Sequence, residues 1–233
     1  MTHRSKHHLL LLDFDGVIIN SKPLMEFAFA ASCSALRIEP PPPIEQFLAL
    51  MGMPLPGIAA RLGLPVGFVA HYQALCRERM DMVRLYDGAH ALIERGRASF
   101  HRLALITGKD RHRTLLLLDR FELRDAFDRI VCGDDPYPGK PSPVAVDALR
   151  HQLAASAAET YMVGDSAIDI ECARRGHVLA IGAAWGFSTL DELRAAGADL
   201  IFTSPFTLAD WLVETRPSTA AAPSLTHRMA TDG

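Results

Sequence analysis

The sequence predicts an α/β fold, in which a Rossmann-like, mostly parallel β-sheet core carries a small α-helical cap inserted after the first strand. Three observations support this prediction. Four consecutive leucines at 9–12 are typical of a strand buried on both faces, as in a parallel sheet covered by helices. Strand and helix patterns alternate from residue 85 onward, which indicates βαβ units. Residues 20–84, by contrast, contain helical patterns and no convincing strand.

The first predicted strand ends in two carboxylates, Asp13 and Asp15, which are followed by Gly16. In extended backbone, side chains at i and i+2 point to the same side and lie about 6–7 Å apart. We therefore expect both acids at the carboxyl end of the strand, where open α/β sheets bind ligands. Two neighbouring acids repel each other unless a cation lies between them or one is protonated. The segment favours a metal-dependent phosphoryl-transfer site; a strand running into a solvated acidic turn is the alternative.

A helical insertion is predicted next. An apolar face recurs at helical spacing after Ser21, and either Asn20 or Ser21 can cap this helix. The four prolines at 40–43 must interrupt any helix, because proline lacks the amide donor. Further short helices are expected at about 44–50, 57–62 and 65–82. The predicted domains are a core of residues 1–19 and 85–215, a cap of residues 20–84 and a disordered tail at 216–233.

The predicted core resumes at Tyr86 with a helix through Ile93. The strands that follow are apolar, and polar loops that lead into helices separate them. Strands are expected at 103–106, 129–132, 160–163, 178–181 and 200–202. This repeated order of strand, loop and helix predicts a mostly parallel sheet.

Composition excludes several classes of function. The 233 residues carry a formal net charge of −3, with a pI near 6.4, which gives no electrostatic case for binding nucleic acid or an anionic membrane. No apolar run reaches the roughly 18 residues of a transmembrane helix. The four cysteines are far apart and are expected to be buried, reduced thiols. These features predict a reduced, soluble, cytoplasmic protein, and they leave its oligomeric state open.

Polar residues suited to phosphate or metal end further predicted strands. Thr107 offers a hydroxyl, and the backbone amide of Gly108 can point at an anion near a helix start. Lys140, in a rigid Gly-Lys-Pro-Ser-Pro context, can place a point charge on a phosphate. Asp165 and Asp169 lie one helical turn apart, on one face at a helix N-terminus. Hard oxygen ligands of this type suit Mg²⁺.

Each of these signals has an ordinary structural alternative when it is taken singly. The segment Thr107-Gly108-Lys109 lacks the spacing of a P-loop, and such a segment is commonly only a strand-to-helix turn. A Lys-Pro pair is common in surface loops, and a carboxylate at a helix start is common as a cap. Arg111 and Arg113, which follow this segment, could touch a phosphate or a second anionic group, or face water. The order and spacing of the signals together favour one catalytic site.

These motifs resemble those of the haloacid dehalogenase superfamily. Asp13-Phe14-Asp15-Gly16-Val17 matches its first motif, DxDG[TV]. The other three motifs are similar to the segments 106–109, Lys140-Pro141 and 164–169, in the same order. This resemblance covers residues from about 9 to 212 and implies an α/β core of the kind already predicted.

Other segments resemble one branch of that superfamily. The helical insertion, the segment 86–89 and Ala184-Trp185-Gly186-Phe187 are similar to the phosphoglycolate-phosphatase-like branch, which has a small helical cap. The run 47–53 and the short cap are also similar to phosphatases of aminohydroxybenzoate (ansamycin precursor) gene clusters. The resemblance therefore implies a phosphatase.

The resemblance also implies a role for each acid of the first and fourth motifs. Asp13 would be the nucleophile that forms an aspartyl-phosphate, and Asp15 would be the general acid and base. Mg²⁺ would be held by the Asp13 side chain, the Asp15 backbone carbonyl and the Asp165 carboxylate. Asp169 would orient Lys140 or a metal-bound water.

The remaining roles concern phosphate. Thr107, Gly108 and Lys140 would bind the transferring phosphoryl group and spread its charge.

The chain also departs from the family's pattern. Asn20 stands where many relatives carry Asp, and Ser166 follows Asp165 in place of a second acid.

The function implied is an Mg²⁺-dependent phosphomonoester hydrolase that acts on a small phosphorylated metabolite through an aspartyl-phosphate. Asp15 argues against the dehalogenase branch, which lacks an acid there. A phosphomutase of a sugar phosphate and a binding or regulatory module that retains the fold are the alternatives. The cap is expected to select the substrate, with His71, Tyr72 and Arg77 as candidates.

Overall fold

The structure, a computed structural model, describes residues 8–100 and 102–215, and the predicted disordered tail at 216–233 lies outside them. The strands in the described part of the chain are β1 (Leu9–Leu12), β2 (Ile19–Asn20), β3 (Arg84–Leu85), β4 (Arg102–Ile106), β5 (Arg129–Val131), β6 (Thr160–Gly164), β7 (Leu179–Ala183) and β8 (Leu200–Phe202). The α-helices there are α1 (Lys22–Ala35), α2 (Ile44–Leu48), α3 (Leu55–Arg61), α4 (Phe68–Glu78), α5 (Ala89–Ser99), α6 (Arg111–Arg120), α7 (Val144–Gln152), α8 (Ala167–Arg175), α9 (Leu190–Ala196) and α10 (Pro205–Glu214).

Six strands form one parallel sheet in the order β5-β4-β1-β6-β7-β8. The strand β1 lies inside this sheet, between β4 and β6, and its four leucines are 0% exposed. An uninterrupted apolar run fits this position because helices cover both faces of the sheet. The structure thus confirms the predicted α/β fold with a mostly parallel sheet.

Alternate leucines of β1 serve two separate apolar clusters. Leu10 and Leu12 belong to the larger cluster, which continues into the cap. Leu9 and Leu11 belong to the cluster formed with α7 and α8, which includes Val146. Side chains of a strand alternate between the two faces of the sheet, so a single strand anchors both layers of the core.

A helical insertion follows β1, as predicted, and we call residues 20–84 the cap. The chain enters and leaves it through β2 and β3, which pair antiparallel, Ile19 with Leu85 and Asn20 with Arg84. Between these strands lie α1 to α4. Division of the chain into separate domains at these residues stays a prediction.

The helices of the cap differ in length from those predicted. The helix expected at 65–82 is shorter, because α4 begins only after Gly67 and the chain forms a 3-10 turn at Met80–Met82. Proline at 40–43 separates α1 from α2 as expected. All four cysteines are buried, free thiols. Within the described ranges, no helix combines the length and hydropathy needed to cross a bilayer.

Candidate active site

Residues that follow β1, β4 and β6 come together at the carboxyl edge of the sheet. Leu12 is in register with Leu105 of β4 and with Val163 of β6, so these three strands end at nearly the same level. The next polar residues along the chain are Asp13, Thr107 and Asp165, and all three are buried. The structure therefore brings together predicted site residues that are up to 152 positions apart in the chain (165 − 13 = 152).

The Lys140 ammonium lies among buried carboxylates. Its Nζ donates to Asp13 Oδ1 at 2.8 Å, to Asp169 Oδ1 at 2.5 Å and to the Ile106 carbonyl at 3.2 Å. Burial alone would lower the pKa of Lys140, but the carboxylates of Asp13 and Asp169 hold that pKa above its usual range. The ammonium is therefore a fixed positive charge beside the predicted nucleophile. An unpaired charge at this depth would cost several kcal/mol.

Asp169 connects Lys140 to the start of α8. Its Oδ2 accepts hydrogen bonds from the Ser166 amide at 3.2 Å and the Ser166 hydroxyl at 2.5 Å, and the Asp169 amide donates back to Ser166 Oγ at 3.3 Å. This reciprocal capping box fixes the first turn of the helix. One carboxylate oxygen of Asp169 thus serves the helix and the other contacts Lys140.

Three carboxylates could share a metal ion. Oxygens of Asp13, Asp165 and Asp169 lie within 4.8 Å of one another, and all three residues are buried. Burial raises the pKa of Asp13 to about 7 and raises the pKa of Asp165 well above its usual value. The Lys140 ammonium lowers both pKa values but does not offset burial and the neighbouring carboxylates, so a further cation would stabilise both ionised forms.

The donor set fits a hard divalent cation such as Mg²⁺, since it consists of oxygen atoms in a region of negative charge. Asp169 already uses both oxygens, on Lys140 and Ser166. Asp165 uses Oδ2 to accept from the Phe187 amide at 2.8 Å. Asp13 and Asp165 are therefore the side chains best placed to bind a metal ion, and the predicted set, which also includes the Asp15 backbone carbonyl, stays a prediction.

Asp15 has different partners from Asp13. Its Oδ1 accepts from the Ser21 hydroxyl at 2.5 Å and lies 3.1 Å from Lys109 Nζ. Ser21 is the residue before α1, as predicted, but its side chain makes no capping hydrogen bond there. Sequence reasoning missed both contacts, because it gave the Lys109 side chain no role and considered Ser21 only as a helix cap.

Two glycines allow close approaches that a side chain would prevent. Gly16 has a φ of +84°, and a Cβ atom on it would lie 1.9 Å from Asp165 Oδ2. A Cβ atom on Gly108 would lie 2.4 Å from the backbone oxygen of Met53, in the cap. Trp185 contacts the loop that contains Gly16, because its Nε1 donates to the Val17 carbonyl at 3.1 Å.

The cap covers this edge of the sheet and leaves a cavity of about 30 Å³. Its lining residues from the core are Asp13, Asp15, Thr107, Gly108, Lys109 and Arg113, and those from the cap are Met25, Met51, Gly52, Met53, Leu55, Ile58 and Tyr72. Lys140 and Asp165 are buried and are not among these lining residues. The core thus supplies the charged groups, whereas the cap supplies an almost entirely apolar wall.

The three cap candidates from the sequence occupy different places. Tyr72 lines the cavity. The Nδ1 atom of His71 lies 3.1 Å from the Ser32 hydroxyl, inside the cap. Arg77 is exposed. The structure therefore brings one of the three to the cavity.

Comparison with known proteins places this chain in the haloacid dehalogenase-like hydrolase family, whose model matches residues 10–183. The phosphoglycolate phosphatase of Rhodospirillum rubrum is 30% identical over 166 residues, which cover 70% of this chain and 67% of that protein. The protein named probable phosphatase IndB of Dickeya dadantii is 29% identical over 210 residues, covering 83% of this chain and 88% of that protein. The chain is thus a hydrolase of this family that is similar to phosphoglycolate phosphatases.

Solved structures share the fold. A hydrolase from Pseudomonas syringae superimposes with a TM-score of 0.78 and 21% identity, covering 89% of this chain and 99% of that chain. The haloacid dehalogenase-like family protein from Streptococcus pneumoniae gives a TM-score of 0.76 at 20% identity, covering 88% of this chain and 97% of that chain. The matched relatives give no support to the predicted likeness to phosphatases of aminohydroxybenzoate gene clusters.

Proposed function

We propose that this protein is an Mg²⁺-dependent phosphomonoester hydrolase that acts on a small phosphorylated metabolite through an aspartyl-phosphate intermediate. One observation carries the proposal: the buried Asp13 carboxylate lies 2.8 Å from the Lys140 ammonium and within 4.8 Å of an oxygen of Asp165. A nucleophile, a cation and a metal-suited acid are thereby within reach of one phosphoryl group. The phosphatase names of relatives support the same reaction.

Asp13 performs the covalent step in this proposal. Its carboxylate attacks phosphorus, the bond from phosphorus to the leaving oxygen breaks, and an acyl phosphate forms on Asp13. Water then attacks the same phosphorus, which releases phosphate and regenerates the carboxylate. A bound Mg²⁺, held by Asp13, Asp165 and the Asp15 backbone carbonyl, would neutralise charge on the phosphoryl oxygens.

Asp15 transfers the protons. It gives a proton to the leaving oxygen in the first step and accepts one from the attacking water in the second. The contacts of its Oδ1 with Ser21 and Lys109 orient the carboxylate between the core and the cap. Because Lys109 is paired with Asp15, its charge also lies next to the leaving oxygen.

Phosphate binding falls to groups of the second and third motifs. The Lys140 ammonium contacts Asp13 directly, so it can also contact a phosphoryl oxygen that Asp13 attacks. Thr107 and Gly108 line the same cavity, and the Thr107 hydroxyl and the Gly108 amide are the donors that they contribute in this proposal. Together they donate hydrogen bonds to the three outer oxygens of the phosphoryl group.

Substrate entry requires movement of the cap. A cavity of about 30 Å³ holds about two water molecules, given the roughly 10–15 Å³ that each needs on this measure. A phosphate ester is larger, so the cap must separate from the core before binding and close again over the ester. Closure then excludes bulk water from the reacting atoms.

Hydrolysis of p-nitrophenyl phosphate tests the proposal, with Mg²⁺ and with EDTA. We expect turnover that requires Mg²⁺ and releases inorganic phosphate. A parallel assay adds a sugar monophosphate and a sugar bisphosphate activator. Isomerised sugar phosphate without phosphate release would identify the mutase alternative, and an absence of turnover under every condition would contradict an enzymatic role.

A further inference from the structure

One buried cation at the cavity has no part in the reaction described above. Arg113 lies in the first turn of α6, is 5% exposed and lines the cavity together with Asp13 and Asp15. An arginine at this depth is uncommon without an acidic partner, because its charge cannot be neutralised by loss of a proton. Its surroundings therefore indicate what it is placed to bind.

Arg113 is held in place by Asp110 from one side. Its Nε donates to Asp110 Oδ2 at 2.5 Å, and its backbone amide donates to Asp110 Oδ1 at 3.0 Å. Asp110 also accepts a hydrogen bond from Gln73 of the cap at 3.3 Å. The guanidinium is thus fixed where the cap meets the core, and its Nε is already in use.

Two further neighbours of Arg113, Tyr72 and Cys76, carry no negative charge. Its guanidinium carbon lies 6.0 Å from the centre of the Tyr72 ring. Burial raises the pKa of Tyr72 and the pKa of Cys76 above their usual values, so both groups are neutral near pH 7. Arg113 also forms a side-chain hydrogen bond with Cys76, and the remaining terminal N–H donors of the guanidinium form a planar fork that matches a carboxylate.

The cap wall of the cavity has no cationic side chain among the described lining residues. The cap side consists of Met25, Met51, Leu55, Ile58 and neighbouring residues, with Tyr72 as its one titratable side chain among the described lining residues. Of the two lysines nearest the cavity, Lys109 pairs with Asp15 and Lys140 pairs with Asp13 and Asp169. These pairs lie at the phosphoryl end of the site.

We propose that Arg113 determines specificity by binding a carboxylate on the leaving group of the substrate, while the apolar cap wall contacts the carbon skeleton between this carboxylate and the phosphate. The preferred substrate is therefore a small, acidic phosphomonoester. Charge recognition then comes from α6 of the core, whereas the cap selects by shape. This inference rests on the proposed phosphatase function and names the substrate class of that same site.

Two matched pairs of esters test this assignment. One pair is 3-carboxyphenyl phosphate and phenyl phosphate, and the other is phosphoglycolate and 2-hydroxyethyl phosphate. The readout is the ratio of kcat/KM for the acidic ester to kcat/KM for its neutral partner. A charged hydrogen bond is worth about 1.5–3 kcal/mol, so we expect a ratio of about 10–100 for the wild type in at least one pair.

Variants of the two arginines separate recognition from structure. We expect Arg113→Gln to lower the ratio to about 1, and Arg113→Lys to restore part of it. A general loss of structure lowers both esters and cancels in the ratio. Because Arg113→Gln leaves the half-buried Asp110 without its partner, the double variant Asp110→Asn/Arg113→Gln repeats the measurement without that charge. Arg111→Gln is the control, since Arg111 pairs with Asp135 and does not line the cavity.

The possible outcomes distinguish the role of Arg113, the preference for acidic esters and the phosphatase function. An unchanged ratio in both Arg113→Gln and the double variant would overturn the role of Arg113. A wild type that hydrolyses acidic and neutral esters equally well would overturn the inference and leave the phosphatase function intact. A wild type that hydrolyses p-nitrophenyl phosphate but none of the four esters would overturn the inference alone, whereas no turnover of any ester, p-nitrophenyl phosphate included, would contradict the proposed function as well.

Discussion

The carboxyl edge of the sheet and the cap face the same cavity, but different forces hold them together. At the edge, the stabilising contacts are ion pairs and hydrogen bonds. Lys140 contacts Asp13 and Asp169, and Asp169 in turn caps α8. The centre of the cap is aromatic, with ring centres of Phe29, Phe47, Phe68 and Tyr72 separated by 4.8–6.3 Å.

This difference assigns the catalytic chemistry to the core and the shape of the substrate site to the cap. A hydrogen-bonded charge network fixes atoms to within a fraction of an ångström and tolerates little change, because each lost partner leaves a buried charge. Apolar packing tolerates substitutions of similar volume. The core can therefore keep one reaction while the cap changes which leaving group fits, and the predictions below test this separation.

The largest effect is expected at Asp13. Asp13→Asn keeps the volume of the side chain but removes the nucleophile and one metal ligand, so turnover of p-nitrophenyl phosphate should fall by at least roughly a thousandfold. Steady-state kinetics measure the loss, and circular dichroism confirms that the variant is folded. Asp147→Asn, on the half-exposed pair with Arg150 of α7, is the control. Substantial activity in Asp13→Asn would move the nucleophile elsewhere and remove the chemistry from this edge.

A smaller effect that depends on the leaving group is expected at Asp15. Asparagine keeps the backbone carbonyl but cannot transfer a proton, so Asp15→Asn should slow both steps by about 10²–10⁴-fold. p-Nitrophenolate leaves with little protonation, so the defect in forming the intermediate should shrink with this ester relative to an alkyl phosphate. Pre-steady-state measurement of alcohol release gives the comparison. Equal defects for good and poor leaving groups would show that Asp15 is not the general acid.

The cap wall is expected to change selectivity more than rate. Leu55→Ala and Met51→Ala remove methylene groups from the cavity lining, and such changes are worth about 1–3 kcal/mol, or 10–200-fold, in discrimination. We expect kcat/KM to change on this scale for the best substrate of a phosphatase panel, and to stay within a few-fold for p-nitrophenyl phosphate. Val66→Ala, at a fully exposed cap position, is the control.

Equal losses for both substrates at Leu55 and Met51 would mean that the cap supports folding and does not select. The separation between core and cap would then be wrong, even if Asp13 remains the nucleophile.

The smallest expected effect is a change in protein stability with pH and with Mg²⁺, which depends only on carboxylates of the core. Burial raises the pKa of Asp13 to about 7 in the metal-free protein. The folded state therefore binds more protons than the unfolded state between about pH 4 and 7, and metal-free stability falls as pH rises through this range. Mg²⁺ requires the ionised carboxylates, so it should stabilise the protein more at pH 8 than at pH 5.

Thermal unfolding with and without Mg²⁺ measures this difference. At a concentration ten times the Kd, binding stabilises by about 1.4 kcal/mol, which raises the Tm by about 3–6 °C for a chain of this size. We expect this shift at pH 8, a much smaller one at pH 5, and none in Asp165→Asn. The same shift at both pH values would contradict the assignment of Asp13 as a metal ligand.

The core could be predicted from the sequence because each of its site residues follows a strand with a distinct apolar pattern. Leucines at 9–12 predict the central strand, and the carboxyl ends of parallel strands bring Asp13, Thr107 and Asp165 to one edge. The contact between Ser21 and Asp15 could not be predicted, because a serine before a helix has a local capping role that explains it equally well.

The cap was less predictable for a physical reason. In a helical segment, polar residues such as His71 and Arg77 are the natural candidates for substrate binding. The structure shows instead that His71 contacts Ser32 and that Arg77 is exposed. The cavity is lined instead by residues such as Met51 and Leu55. Their side chains have the same apolar character as residues that only fill a core, so sequence alone does not distinguish the two roles.

Trapping the intermediate tests the central claim, that the chemistry begins at Asp13 of the core, most directly. The protein is mixed with p-nitrophenyl phosphate and Mg²⁺, quenched in acid within the first turnovers and digested, and the peptides are analysed by mass spectrometry. We predict one phosphoryl group on the peptide that contains Asp13, located on that residue, and none in Asp13→Asn. Turnover without a phosphorylated peptide, or a phosphoryl group on any other residue, would contradict the account.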